Sequence, residues 1–221
     1  MHDTRRPSAN DRYPGYDVLA KWSGMSWNEK TREVISRRLA IGPEPKFFTA
    51  EEFVTVTAIA ARIVPQPSNR PPIPVAALVD DKLHRDIMDG YREPGQPRDG
   101  EAWHLGLKAL DAEAQIAYGT PFSALAETLQ EVLLRRAQAG ELIAPEWGSL
   151  RSDVFFKKRM AHDVVLAYYA HPTAWSEIGW GGPASPRGYV RLDFNERDPW
   201  EAAEAKPGEE ESARRSNRHV R

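Results

Sequence analysis

Two acid-x-x-histidine pairs, Asp81-x-x-His84 and Glu101-x-x-His104, carry the most definite chemistry in this sequence. In di-iron bundles a Glu-x-x-His on each of two helices joins a carboxylate from each of two others. The two pairs fall on consecutive predicted helices, so the chain admits a metal-dependent, di-iron-like helical-bundle oxidase. Other features weigh toward plain surface placement. Only one pair begins with Glu, and Asp80 and Lys82 beside Asp81 mark a wet face. Glu101 lies in the first turn of its helix, where the dipole favours an acid. His162-Asp163 is a third acid–base pair, but adjacent helical residues point ~100° apart and do not face one another.

Other catalytic constellations are missing. With no cysteine there is no thiolate nucleophile, disulfide, cysteine-held zinc or iron–sulfur cluster. No Gly-x-Ser-x-Gly elbow occurs. The glycine-rich run GWGGPASPRG lacks the Gly-x-Gly-x-x-Gly spacing and the strand-then-helix setting of a dinucleotide loop. The chain therefore has no FAD fingerprint, and no cofactor or metal is expected in it. A net charge of −2 gives no electrostatic case for nucleic acid. Phe155-Phe156-Lys157-Lys158-Arg159 reads as one helix with an apolar and a charged face. No apolar run approaches the roughly 20 residues of a membrane span.

The elements that would position these residues are helical. Asn28 caps a helix to about Leu39. Thr49-x-x-Glu52 is a capping box, followed by the stripe Phe53, Val56, Ala60, Ile63, Val64 and the stop at Pro65. The next helix is predicted over Pro74–Tyr91, with Val75, Leu78, Val79, Leu83, Ile87 and Tyr91 on one side. Another runs over Asp99–Tyr118 with Trp103, Leu107, Leu110, Ala114 and Tyr118 inward. Thr120-Pro121 reads as the start of a fifth, whose stripe is Phe122, Leu125, Ala126, Leu129, Val132 and Leu133. A sixth runs from about Ser149–Ser152 to Ala170. Gly188–Phe194 alternates for a few residues and admits an extended stretch. The expected fold is all-α, an irregular bundle of five or six helices in one domain over residues 16–195. Residues 1–15 and 196–221 read as disordered tails. Arg5-Arg6 invites a twin-arginine reading, but no apolar segment follows. This favours a cytoplasmic protein, or one exported together with a partner to a periplasmic or membrane-associated complex.

The segment after the sixth helix is of another kind. From His171 to Tyr189 it holds four glycines and three prolines, together with Trp175, Trp180 and Tyr189. That mixture supports neither a long helix nor a ladder strand, and large rings gain by leaving water. It reads as a strap, residues 171–195, docked on a surface. Five of the seven tryptophans (Trp22, Trp27, Trp175, Trp180, Trp200) lie outside the predicted helices. For Trp22 and Trp27 the chain's own core and a partner's surface are equally good destinations.

The strap HPTAWSEIGWGGPASPRGY, with FFTAEEF at 47–53, Ile63-Val64-Pro65 and Gly90-Tyr91, resembles the gluconate 2-dehydrogenase subunit 3 family from about Phe47 to Tyr189. The resemblance implies a non-catalytic accessory or chaperone-like subunit. Its partner would be a separate FAD-containing, glucose–methanol–choline-type oxidoreductase acting on a sugar, sugar acid or glycoside. A hetero-oligomer follows, with a cytochrome c subunit reached through the complex. The implied interface residues are His171, Pro172, Trp175, Ile178, Trp180, Pro183, Pro186, Arg187 and Tyr189. The rival readings are the metal oxidase above and a free-standing interaction scaffold without a redox partner.

Overall fold

The computed structural model describes residues 11–90, 95–191, 193–194 and 196–220. It is all-α: among the described residues there is no strand, only an isolated bridge between Trp27 and Ser185. The chain forms two compact units rather than the single expected domain. One comprises Ile41–Gln66 and Pro74–Tyr168. The other is assembled from residues 11–40, Pro67–Ile73 and the chain from Tyr169 onward.

The first unit holds α2 (Ala50–Ile63), α3 (Val75–His84), α4 (Asp99–Tyr118) and α5 (Glu127–Ala139). A last helical run follows in three parts: α6 (Ser152–Phe155), a π-helical stretch Phe156–Ala161, and α7 (His162–Tyr169). The capping box at α2 is present in full. Thr49 Oγ1 accepts from the Glu52 N–H at 3.2 Å, and Glu52 Oε2 accepts from the Thr49 N–H at 2.9 Å. Buried Asp80 fixes the approach to α2, accepting from the backbone N–H groups of Lys46, Phe47 and Phe48. The core is built on Val56, Ile59, Trp103, Leu107, Leu110, Phe122, Leu133 and Phe155. Gly106 sits mid-helix, where glycine costs about 1 kcal/mol relative to alanine. The Phe155 ring lies directly against it and occupies the space a Cβ would need.

Two helix boundaries differ from expectation. α3 stops at His84, and Asp86 follows with φ 50°. Ile87 is thus exposed, and Tyr91 lies outside the described residues. α5 begins at Glu127. Phe122–Ala124 is a separate 3₁₀ turn, and Leu125 and Ala126 are extended. Buried Gln130 explains the break, because its side-chain amide donates to the carbonyls of Phe122, Ser123 and Leu125. Val132, placed inward by the stripe, faces solvent, whereas Leu134 is buried. Tyr118 is also exposed, though only to 38%.

The second unit begins with a 3₁₀ turn at Val18–Lys21 and α1 (Glu29–Leu39), capped as expected by Asn28 Oδ1 on the Thr31 N–H. It ends with α8 (Pro172–Glu177) and α9 (Glu210–Asn217). Its core holds Tyr16, Val18, Trp27, Ile35, Trp175 and Val220. Trp22 packs edge-on against Trp27, with centroids 5.8 Å apart. Both N-terminal tryptophans therefore serve the chain's own core.

The expectation of two disordered tails is corrected where residues are described; residues 1–10 lie outside them. Residues 11–15 are held by Arg70, which pairs with Asp11 at 2.9 Å and donates to the Tyr13 carbonyl. At the other end Trp200, Ala213, Asn217 and Val220 are buried. Asn217 donates to the carbonyls of Pro14 and Ala203 and accepts from the Ala203 N–H. One buried amide thus ties α9 to the N-terminal segment. The charged composition of 196–220 hid this, since so few apolar groups are involved.

Candidate partner-docking surface

The strap starts tethered. His171 caps α8, its Nδ1 accepting from the Thr173 N–H at 3.2 Å. Burial, helped by Arg38, holds the imidazole pKa below its usual value and so favours the accepting, neutral form. Arg38 donates to the Ala170 carbonyl, and Trp175 Nε1 to the Tyr169 carbonyl at 2.6 Å. Ser176 Oγ accepts from the Val18 N–H, joining α8 to the first 3₁₀ turn. The segment is therefore partly helical, not wholly irregular.

Beyond α8 the glycines make room for rings. Gly179 (φ +70°) has the Tyr13 ring pressed against it. A Cβ on Gly182 (φ +69°) would meet Trp175 at 3.0 Å and Trp27 at 3.3 Å. Tyr189 donates its hydroxyl to the Gly182 carbonyl, and Ser185 exchanges backbone hydrogen bonds with Ser26 and Asn28. The strap is held in one path by its own unit.

This splits the expected interface set. Trp175 is 2% exposed, and His171 and Pro172 are buried. They hold the strap down and are not presented on this chain's surface, because the core of the second unit needs the Trp175 ring. Ile178, Trp180, Pro186 and Tyr189 are exposed, and Pro183 and Arg187 are half-buried. Trp180 is 39% exposed and Tyr189 64%. Val190 and Phe194 follow, almost bare. Scattered exposed apolar residues are ordinary; several of them along one fixed strap make its outer face the candidate interaction surface.

A cleft of about 510 Å³ opens beside these rings. Tyr13, Trp180, Tyr189 and Trp200 line it, together with Arg187, Arg191, Arg197, Glu196 and Glu201. Arg187 lies over Trp200, 4.2 Å from the ring centroid, and donates Nε to Ser26 Oγ. Trp200 and Tyr13 border this cleft and Ser26 bonds Arg187, though none of the three stands in the expected interface set. Only the oddity of a tryptophan in a charged tail pointed to one of them.

Among the described residues, the ligand atoms of the two acid–histidine pairs do not converge as the alternative di-iron-like reading would need. His104 Nδ1 lies 2.6 Å from Glu52 Oε1, and its ring stacks on Phe47. Asp81 pairs with Arg85. Among the described residues, Asp89, His162 and Asp163 are the group whose ligand atoms converge. Cations already hold those carboxylates. Lys82 Nζ is 2.7 Å from Asp89 and 2.8 Å from Asp163, and Arg159 reaches both acids. Burial raises the Asp89 pKa, but Lys82 and Arg159 outweigh it and hold the group below its usual value. Trp103 Nε1 donates to Asp163 at 2.7 Å. The cluster is an ion-pair network inside the first unit.

Comparison with known proteins supplies the family. Residues 50–182, more than half of the chain, match the model for gluconate 2-dehydrogenase subunit 3. No curated protein and no solved structure shows significant similarity to the chain. The chain belongs to the gluconate 2-dehydrogenase subunit 3 family, a family of oxidoreductase-complex subunits.

Proposed function

We propose that this member of the gluconate 2-dehydrogenase subunit 3 family is a non-catalytic subunit that docks on, and supports the assembly of, an FAD-containing large subunit. The large subunit is of the glucose–methanol–choline type and oxidises a sugar, sugar acid or glycoside. The flavin resides in that partner, and electrons leave the complex through it, a cytochrome c subunit being one acceptor. Docking uses the outer face of the strap: Ile178, Trp180, Pro183, Pro186, Arg187 and Tyr189.

One observation carries this reading. Trp180 and Tyr189 stand exposed on a path fixed from beneath by Trp175, Gly179 and Gly182. Ordering a free segment costs about 1–2 kcal/mol per residue. A strap already held in one path avoids most of that cost on binding. The test is co-expression. The large subunit should be soluble and FAD-loaded with this chain, and aggregated or flavin-poor without it. Equal yield and activity in both cases overturns the supporting role.

A further inference from the structure

We propose that the strap cleft receives a carboxylate of the large subunit, gripped by Arg187 and drawn in by Lys21. The inference rests on the docking role above and names the chemistry of the contact.

Arg187 is poised for a further acceptor. Its Nε donates to Ser26 Oγ at 3.1 Å, and its guanidinium is braced on the Trp200 face. The far end of the fork, Nη1 and Nη2, has no acceptor among the described residues. That end is the one that binds a carboxylate through two parallel hydrogen bonds. Behind the cleft wall lies a second cation. Lys21 is fully buried, with the Gly181 carbonyl accepting from its Nζ at 2.5 Å. Gly181 lines the cleft, and a Cβ on it would stand 2.9 Å from that nitrogen, so the ammonium lies directly against this wall residue. Arg187 lines the cleft and Lys21 lies behind it, close enough for each cation to disfavour the other, and among the described residues no carboxylate pairs with either.

The other charges at the cleft set the ligand class. Glu201 is engaged by Arg191 Nε and by the Asp198 N–H, and Arg197 donates to the Glu201 carbonyl. Arg191 and Arg197 offset Glu196 and Glu201 among the lining charges, which leaves Arg187 as the single excess cation and suits a monoanion better than a dianion such as phosphate. The aromatic walls of Trp180, Tyr189 and Trp200 suit the side chain or terminus of a peptide.

The test has two arms. In the first, the full chain and its R187Q and R187K variants are co-purified with the large subunit over a range of salt. R187Q should weaken association at least tenfold and flatten its salt dependence. R187K, which keeps the charge and loses the fork, should fall between. In the second, the isolated chain is titrated with benzoate and with its neutral isostere benzamide, read by tryptophan fluorescence. Benzoate alone should bind, and R187Q should abolish it. If benzoate and benzamide are indistinguishable, or R187Q binds benzoate like the parent, the anion site is overturned. If benzoate binds at Arg187 but R187Q associates normally, the partner is overturned as the source of the carboxylate, while docking through Trp180 still stands. If the parent chain never associates, the docking role itself fails.

Discussion

The indoles of Trp175 and Trp180 meet edge to face, with ring centroids 4.9 Å apart and planes at 81°. One ring is buried and the other is turned to solvent. Neighbours in space therefore have separable duties. Trp175→Ala should lower stability by ~3–5 kcal/mol, as loss of a buried tryptophan does. Trp180→Ala should leave the melting temperature nearly unchanged and weaken large-subunit association by ~2 kcal/mol or more. Calorimetry and co-purification on both variants check the division. Equal destabilisation by the two would contradict it.

Deleting residues 196–221 should destabilise the second unit, because Trp200, Ala213 and Val220 leave its interior. A loss of 1 kcal/mol moves Tm by ~2–4 °C in a protein of this size, and a fall of about 5 °C or more is expected. Asn217→Ala alone should cost ~1–3 kcal/mol by stranding buried backbone groups of Ala203 and Pro14. An unchanged melt after the deletion would show that α9 contributes nothing.

Stability should rise with pH above about 8. Burial, and secondarily Arg187, lowers the Lys21 pKa from 10.5 to about 8. The unfolded chain then binds more protons than the folded one between those values, so raising pH favours the fold there. The gain is up to about 3 kcal/mol. Above pH 10, Tyr16 opposes it, since burial raises its pKa and the folded state keeps a proton that the unfolded chain loses. On the acid side, the lowered pKa of His171 means that stability is lost as pH falls through and below 6.5. Melting curves from pH 5 to 11 check all three slopes, and Lys21→Met should flatten the middle one.

Asp163→Ala should cost ~1–3 kcal/mol, since it leaves the buried Trp103 N–H without its acceptor, while Lys82 and Arg159 lose one carboxylate and keep Asp89. Added ferrous or manganous ion should leave the melt of the parent chain unchanged if the cluster is only an ion-pair network. A marked metal-dependent rise in Tm would restore the oxidase reading.

What was legible in the sequence was local. The Thr49 capping box, the Asn28 cap and the full span of α4 follow from residues within a few positions of one another. The break before α5 was not legible. It depends on a glutamine amide reaching back to three carbonyls, and the steps of three and four survive across the break. α9 was hidden for a related reason. EEESARRSNR looks too polar to be held in place, and the group that secures it, Asn217, finds its partner 203 positions away. In the strap, glycines alternate with bulky rings in the sequence itself. Which rings turn inward depended on Tyr13, Trp27 and Lys21, remote in sequence from all of them.

That separation bears on how the protein is made. The ribosome releases Pro14 and Tyr16 long before Asn217 and Val220, which complete their surroundings. At ~5–20 residues per second the wait is about 10–40 s. Through that interval the N-terminal segment has its tryptophans in hand and no finished core to receive them, whereas Ile41–Tyr168 already contains every helix of the first unit. A nascent chain is thus open to chaperones at its beginning until Asn217 and Val220 have been made.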